Sequence, residues 1–162
     1  MKKIHYLSSI MKYKITETSK IVKGVVLYQI IANKNFEGVK EGELGGWIQS
    51  EKNLSQEGRC WISSHTCVYG NAQVRGKAQV YGRAQIYGRA WIYGRAQIFG
   101  RVHVCGSAQV YGKTWIYGET LIYGKAHVSG SVWISGETHV SGNAWVYGKA
   151  HVSGKAWVFN NI

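Results

Sequence analysis

Fifteen glycines, from Gly70, Gly76 and Gly82 through to Gly148 and Gly154, fall on a six-residue lattice without one slip. The phrase between them reads clearly in Tyr87-Gly88-Arg89-Ala90-Trp91-Ile92 and again in Tyr147-Gly148-Lys149-Ala150-His151-Val152. A fixed short period held over such a length is the signature of a solenoid, and six is the unit of a parallel β-helix. Every sixth residue from Val68 to Val158 is β-branched and aliphatic, which suits a strand lining a narrow interior. Two residues earlier the side chain is small or short, as in Ala72, Ala78, Cys60, Thr114 and Ala156. Residues two apart share one face of a strand, so both columns are expected to point inward. Glycine follows two residues after each aliphatic, where a corner needs backbone free of a Cβ penalty.

These six-residue phrases ending in Ile or Val resemble the hexapeptide-repeat proteins. That resemblance implies an all-β fold: a left-handed, three-sided parallel β-helix with eighteen residues per coil, a hand opposite to the usual crossover rule. The N-terminal segments Gly45-Gly46-Trp47-Ile48, Asn53-Leu54-Ser55-Gln56-Glu57-Gly58 and Cys60-Trp61-Ile62 narrow the match. They are similar to the YdcK-like group of hexapeptide proteins, common in bacterial and phage genomes, and the similarity covers roughly residues 12–162. Its motifs speak to fold and hardly at all to chemistry.

Residues 12–58 differ in texture from the repeat and are expected to form a small β-rich cap, with residues 59–162 as the β-helix. Lys12 to Thr16 alternates, and Val25 to Ile31 is an apolar run of strand length. Asn33-Lys34-Asn35 and the glycines at 38, 42, 45 and 46 read as turns. Ile48 and Leu54 already keep the six-residue step, and a two-residue slip precedes Ile62, so the first coil is expected to begin near Gly45. A cap is needed because a terminal coil exposes core and unpaired strand edges. At the other end, either the last aromatics fold over the coil or another subunit does. Hexapeptide proteins are often trimers, so a homo-oligomer, trimer or dimer, is the expected state.

The chain has no Pro and no apolar run long enough to span a membrane. Residues 1–11 are basic without a signal-peptide pattern, and are expected to be a disordered leader, with Met1 or Met11 as the start. A cytoplasmic location, the host's if the chain is phage-encoded, is the corresponding expectation. Cys60, Cys67 and Cys105 have neither disulfide nor ligand spacing, and an odd count fits a reducing compartment.

Function must lie on the outside of the prism. With eighteen residues per coil, one outward column is Trp61, Gln79, Gln97, Trp115, Trp133 and His151, and beside it run Ser63, Tyr81, Phe99, Tyr117, Ser135 and Ser153. All seven tryptophans directly precede an aliphatic core residue, so their rings are expected to point outward. Trp115, Tyr117, Trp133, Phe99, Trp157 and Phe159 are the interface candidates, since ordered exposed aromatics mark contact surfaces. Charge is the second outward signal. The chain carries 20 Lys and Arg against 8 Glu and no Asp. The anion-binding candidates follow corner glycines: Lys77, Arg95, Lys113 and Lys149 share one corner, Arg83 and Arg101 another that turns acidic at Glu119 and Glu137, and Arg89 stands on the third. A straight row of cations beside aromatics suits a phosphate backbone or a nucleotide, although corner cations also keep a solenoid soluble.

Catalysis is the weaker expectation. Many hexapeptide proteins are acyltransferases that use a His and loops interrupting the coils. Here His103, His127, His139 and His151 occupy outward repeat positions, and the unbroken lattice leaves no inserted loop. The twelve-residue spacing of His127, His139 and His151 puts them on different faces, so no metal site and no cofactor is expected. The sequence is therefore read as a non-catalytic binding protein whose basic, aromatic surface meets an anionic partner: nucleic acid, nucleotide or a host nucleoprotein. Genomic company adds a counter-defence role. The alternatives are a passive oligomeric scaffold and an acyltransferase-like enzyme.

Overall fold

The structure is a computed structural model that describes residues 11–160, so the expected leader lies almost wholly outside the described residues. The chain is nearly all β. Strands β1 (Tyr13–Val22) and β2 (Val25–Ala32) form an antiparallel hairpin, and β3 (Leu44–Ile48) pairs antiparallel with β2. Seventeen short strands follow, from β4 (Trp61–Ile62) to β20 (Trp157–Asn160), most of them only two residues long. They sort in strict rotation into three parallel ladders of six, six and five strands, the first of which β1, β2 and β3 extend to nine. We call these the hairpin face, the six-stranded face and the five-stranded face, since the first begins with β1, β2 and β3. This is the three-sided hexapeptide β-helix that the repeat and the resemblance lead one to expect.

Strand register fixes the coil at eighteen residues: Gln97 pairs with Trp115, Trp115 with Trp133 and Trp133 with His151. The backbone ladder runs continuously around the corners as well as the strands. The Trp91 N–H donates to the Ala108 carbonyl at 2.9 Å, and the Arg95 N–H to the Gly112 carbonyl at 2.8 Å. At the corner, Gly112 has φ 80°, and an added Cβ would sit 2.7 Å from both N and O of Gly130 in the next coil. Glycine is required there twice over, for the left-handed conformation and for the tight stacking of coils. The two inward columns behave as expected. Ile86, Ile92, Ile98, Ala84, Ala90 and Ala96 are fully buried, and so are Thr66 and Thr114.

The cap completes the ladder. Each coil's carbonyls accept from the coil before it, so the first coil has acceptors with no preceding coil, and buried unpaired carbonyls cost free energy. Trp47 N–H and Gln49 N–H, at the start of the first coil, reach the carbonyls of Thr66 and Val68 in the second. Asn53 Nδ2 donates to the carbonyls of Gly70 and Ala72 at 3.1 and 2.9 Å. Lys12 Nζ donates to the Cys60 carbonyl at 2.8 Å, and Tyr13 OH to that of Leu54 at 2.6 Å. Ile48 pairs with Val68 and Ile62 with Val80, so the first coil does begin at β3 and carries the expected slip before Ile62.

Three details depart from expectation. Gly45 and Gly46 lie inside β3 rather than in a turn. They are there for close approach, since a Cβ on Gly45 would meet Ile30 and Trp61 at 2.6 Å, and one on Gly46 the Thr66 carbonyl at 2.6 Å. Trp61 points outward from its strand as its column demands, yet it is only 1 % exposed, because the cap packs over it with Phe36 edge-on at 5.5 Å. The hairpin also does more than close the end of the prism. Leu27 buries against Cys67 and Tyr69 on the outside of the hairpin face, with Val22 and Val25 packed around them. At its tip, Lys23 Nζ lies 4.6 Å over the Tyr87 ring.

Candidate functional site

With the hairpin lying over one face, the six- and five-stranded faces and the corner between them are left open. That corner carries Lys77, Arg95, Lys113, Ser131 and Lys149, one per coil, held in line by the bonds from Lys77 N–H to Gly94, from Arg95 N–H to Gly112, from Lys113 N–H to Gly130 and from Ser131 N–H to Gly148. All four cations are exposed, and none has a carboxylate partner among the described residues. At a strand spacing of about 4.8 Å, Lys77 to Lys149 spans about 19 Å of nearly uncompensated positive edge.

The remaining cationic candidates do not join this edge. Arg101 sits on another corner, 3.3 Å from Glu119, and Lys155 is 3.5 Å from Glu137, so that corner largely neutralises itself. Arg83 precedes Arg101 there, and Arg89 stands on the third corner. Sequence reasoning missed Arg75. Its guanidinium lies 5.2 Å over the Trp91 ring on the five-stranded face, next to the same open edge. The signal was available, because Arg75 occupies the outward position that Tyr93, Tyr111 and Tyr147 take in later coils.

The aromatic ladders flank the edge on both sides. On the six-stranded face Trp115 stacks on Trp133 at 5.3 Å and 7°, Trp133 on His151 at 5.5 Å, and Phe99 on Tyr117 at 5.0 Å. On the five-stranded face Tyr93 stacks on Tyr111 at 4.8 Å, and His127 on Trp145 at 4.6 Å. Ring faces are thus largely occupied by the next coil's ring, and what projects outward is ring edge. An aromatic edge carries the positive end of the quadrupole, the face the negative end. Both ladders therefore reinforce the corner's sign, and their stacked pairs offer little face to a base, while Tyr147, 68 % exposed, stands outside them. Trp157 and Phe159 belong elsewhere, on the hairpin face, 63 % and 61 % exposed, with Trp157 stacked on His139 at 4.3 Å. They do not fold across the coil.

The histidines divide among faces as the spacing requires. His103 and His139 flank Leu121 on the hairpin face. There, a shallow groove of about 320 Å³ is lined by Arg101, His103, Glu119, Leu121 and His139. Burial, together with the charge of Lys23, pushes the His103 pKa down, so its imidazole is neutral at pH 7. Among the described residues no three His, Cys or Glu side chains converge to hold a metal. Nor is any helix among them long and apolar enough to cross a membrane.

Repeat, register and corner geometry together define a hexapeptide-repeat β-helix protein. A stretch of 53 residues is 45% identical to an uncharacterized acetyltransferase, YdcK, of Escherichia coli (strain K12). The match covers 32% of this chain and only 16% of the length of that relative. No family model matches the chain.

Proposed function

We propose that the edge carrying Lys77, Arg95, Lys113 and Lys149 binds the phosphate backbone of a nucleic acid, without catalysis and without reading bases. The supporting observation is the row of four exposed cations with no carboxylate partner among the described residues, bordered on both faces by aromatic edges. Stacked rings leave little face for bases, so affinity comes from charge and counterion release. Duplexes, with their higher charge density, should then bind more tightly than single strands, and neither should show a base preference. Fluorescence anisotropy with labelled single- and double-stranded oligonucleotides at low salt tests this. Absence of binding there, or strong preference for one base sequence, overturns it. A host nucleoprotein as the carrier of that nucleic acid would meet this same edge.

Acyl transfer is the second reading, favoured by the similarity to a protein named an acetyltransferase and by the groove beside the neutral His103. A neutral imidazole is the form that accepts a proton from an acceptor hydroxyl or amine. Against it, Glu119 is engaged by Arg101, which leaves it poorly placed to orient a base. Release of free thiol from acetyl-coenzyme A, lost in His103→Ala, would favour this reading over the first.

A further inference from the structure

A second basic feature lies apart from the open edge, beneath the overhanging hairpin. Lys20, Gln29, Trp47, His65, Arg83 and Gln85 line it, around a cavity of about 560 Å³. That size is within the range of pockets for small organic ligands. No carboxylate lines it. Lys20 and Arg83 have no acidic partner among the described residues, whereas Arg101, one coil on at the same corner as Arg83, is held by Glu119.

The walls are fixed in place. Trp47 Nε1 donates to the Ser64 carbonyl at 2.9 Å, which ties β3 to the segment that carries His65. Ser64 Oγ lies 3.1 Å from His65 Nδ1, and Gln29 Nε2 donates to the Gly45 carbonyl at 3.2 Å. Lys20 Nζ rests 4.3 Å over the Trp47 ring, which holds the cation by its charge and leaves its hydrogen-bond donors free. Gln85 supplies the independent observation. Its Oε1 is buried and has no hydrogen-bond partner, although the residue lines the cavity. A buried acceptor without a donor is costly, and neither cation of the wall satisfies it.

We infer that this cavity binds a small phosphate monoester bearing free hydroxyl or amino groups. Its phosphate meets Lys20, Arg83 and the His65 ring, and the Gln85 amide, whose Oε1 is shielded from solvent, turns into the cavity to accept from one of its donors. Arg and Lys match phosphate oxygens by charge-assisted hydrogen bonds, and the orphaned amide oxygen distinguishes a hydroxylated monoester from phosphate alone. The site shares no residue with the edge proposed to bind nucleic acid, so either can fail without the other.

Isothermal titration of the full chain with inorganic phosphate, ribose 5-phosphate, adenosine monophosphate and neutral adenosine tests the inference. Ribose 5-phosphate, adenosine monophosphate or both should bind about tenfold or more tightly than inorganic phosphate, and adenosine not measurably. Lys20→Gln and Arg83→Gln should each weaken the monoester by about tenfold or more. Gln85→Leu should bring it down to the affinity of inorganic phosphate. Arg89→Gln, on a different corner, should change nothing, and unchanged far-ultraviolet circular dichroism should accompany every variant. Equal affinity for phosphate and both monoesters, binding indifferent to Lys20→Gln and Arg83→Gln, or no binding at millimolar concentration would each overturn it. Retention of monoester binding in a Lys77→Gln, Arg95→Gln, Lys113→Gln, Lys149→Gln variant would separate the pocket from the edge.

Discussion

Lys12 Nζ donates to the carbonyl of Cys60 at 2.8 Å and lies 3.3 Å from its sulfur, with both residues almost completely removed from solvent. The cap uses a lysine where the preceding coil would have offered a backbone N–H. Burial lowers the Lys12 pKa from its ordinary value of 10.5, with Cys60 opposing the shift and Lys34 adding to it. Tyr13 beside it is shifted upward, chiefly by burial, then by Glu51 and Cys60.

Opposite shifts give the cap a stability maximum in alkaline solution. Between the lowered folded value of Lys12 and 10.5, the unfolded chain binds the extra proton, so stability rises with pH across that window. Tyr13 acts in reverse: its contribution is complete below 10 and declines above it, where only the unfolded tyrosine ionises. Tyr87, raised to about 12 chiefly by its hydrogen bond to Cys105, steepens the alkaline decline. We expect urea midpoints to climb toward about pH 10 and then fall, and Lys12→Met to flatten the climbing limb while leaving the fall intact.

Asn53→Ala should be among the most damaging single changes in the cap. It orphans the carbonyls of Gly70 and Ala72, removes the acceptor of the Ser50 N–H, and leaves the Gln49 N–H only its 3.3 Å bond to the Val68 carbonyl. Each buried group left unpaired costs about 1–3 kcal/mol, measurable as a lowered midpoint in chemical denaturation.

Corner glycines should divide by their surroundings. Gly112→Ala forces a Cβ to 2.7 Å from the Gly130 backbone, while Gly148→Ala meets nothing within 4 Å at a similar φ of 75°. The second substitution should cost about 1–2 kcal/mol, the left-handed penalty alone. The first should cost clearly more, as read from paired thermal melts.

Loss of the Trp115–Trp133 stack can be observed directly. Nearly parallel indoles stacked at 5.3 Å should give hypochromic near-ultraviolet absorption, and Trp133→Ala should relieve it. The accompanying destabilisation should be about 0.5–1.5 kcal/mol beyond the lost burial. If the six-stranded face also joins subunits, as trimer or dimer, light scattering of the same variant should show a lower mass.

Salt dependence tests the open edge. Four neutralised phosphates predict a slope of log affinity against log salt of about −3.6 for duplex DNA, and each Lys→Gln or Arg→Gln change should flatten it by about 0.9. Arg101→Gln, paired with Glu119, should leave the slope almost unchanged.

The repeat made the prism legible, because a strict period assigns every residue from Val68 onward to core, corner or outward column without tertiary knowledge. The stacked column Gln97, Trp115, Trp133, His151 could be written from the sequence, and the register confirms it. The period says nothing about what leaves it. Lys12 and Asn53 acquire their partners across 48 and 19 residues of chain, and the lysine does so through a side chain that composition alone would place in water. Trp61 obeyed its column and was buried by an element outside the repeat. The cavity beneath the hairpin escaped for the same reason, since Lys20 and Gln29 approach Arg83 and Gln85 only through the overhang. Among the charges, periodicity grouped Lys77, Arg95, Lys113 and Lys149 and set Arg101 one coil from Glu119, where the two pair at 3.3 Å.

Close stacking of the corners also makes length a quantised property of this chain. Gly112 and Gly130 leave no room for an extra atom between coils, so residues can be gained or lost without a bulge only in whole turns of eighteen. Each turn added would lengthen every face by one rung of about 4.8 Å and extend the charged edge by one residue. A lineage of such proteins could tune the reach of its grip like notches on a gauge, by duplicating a segment and leaving its chemistry untouched.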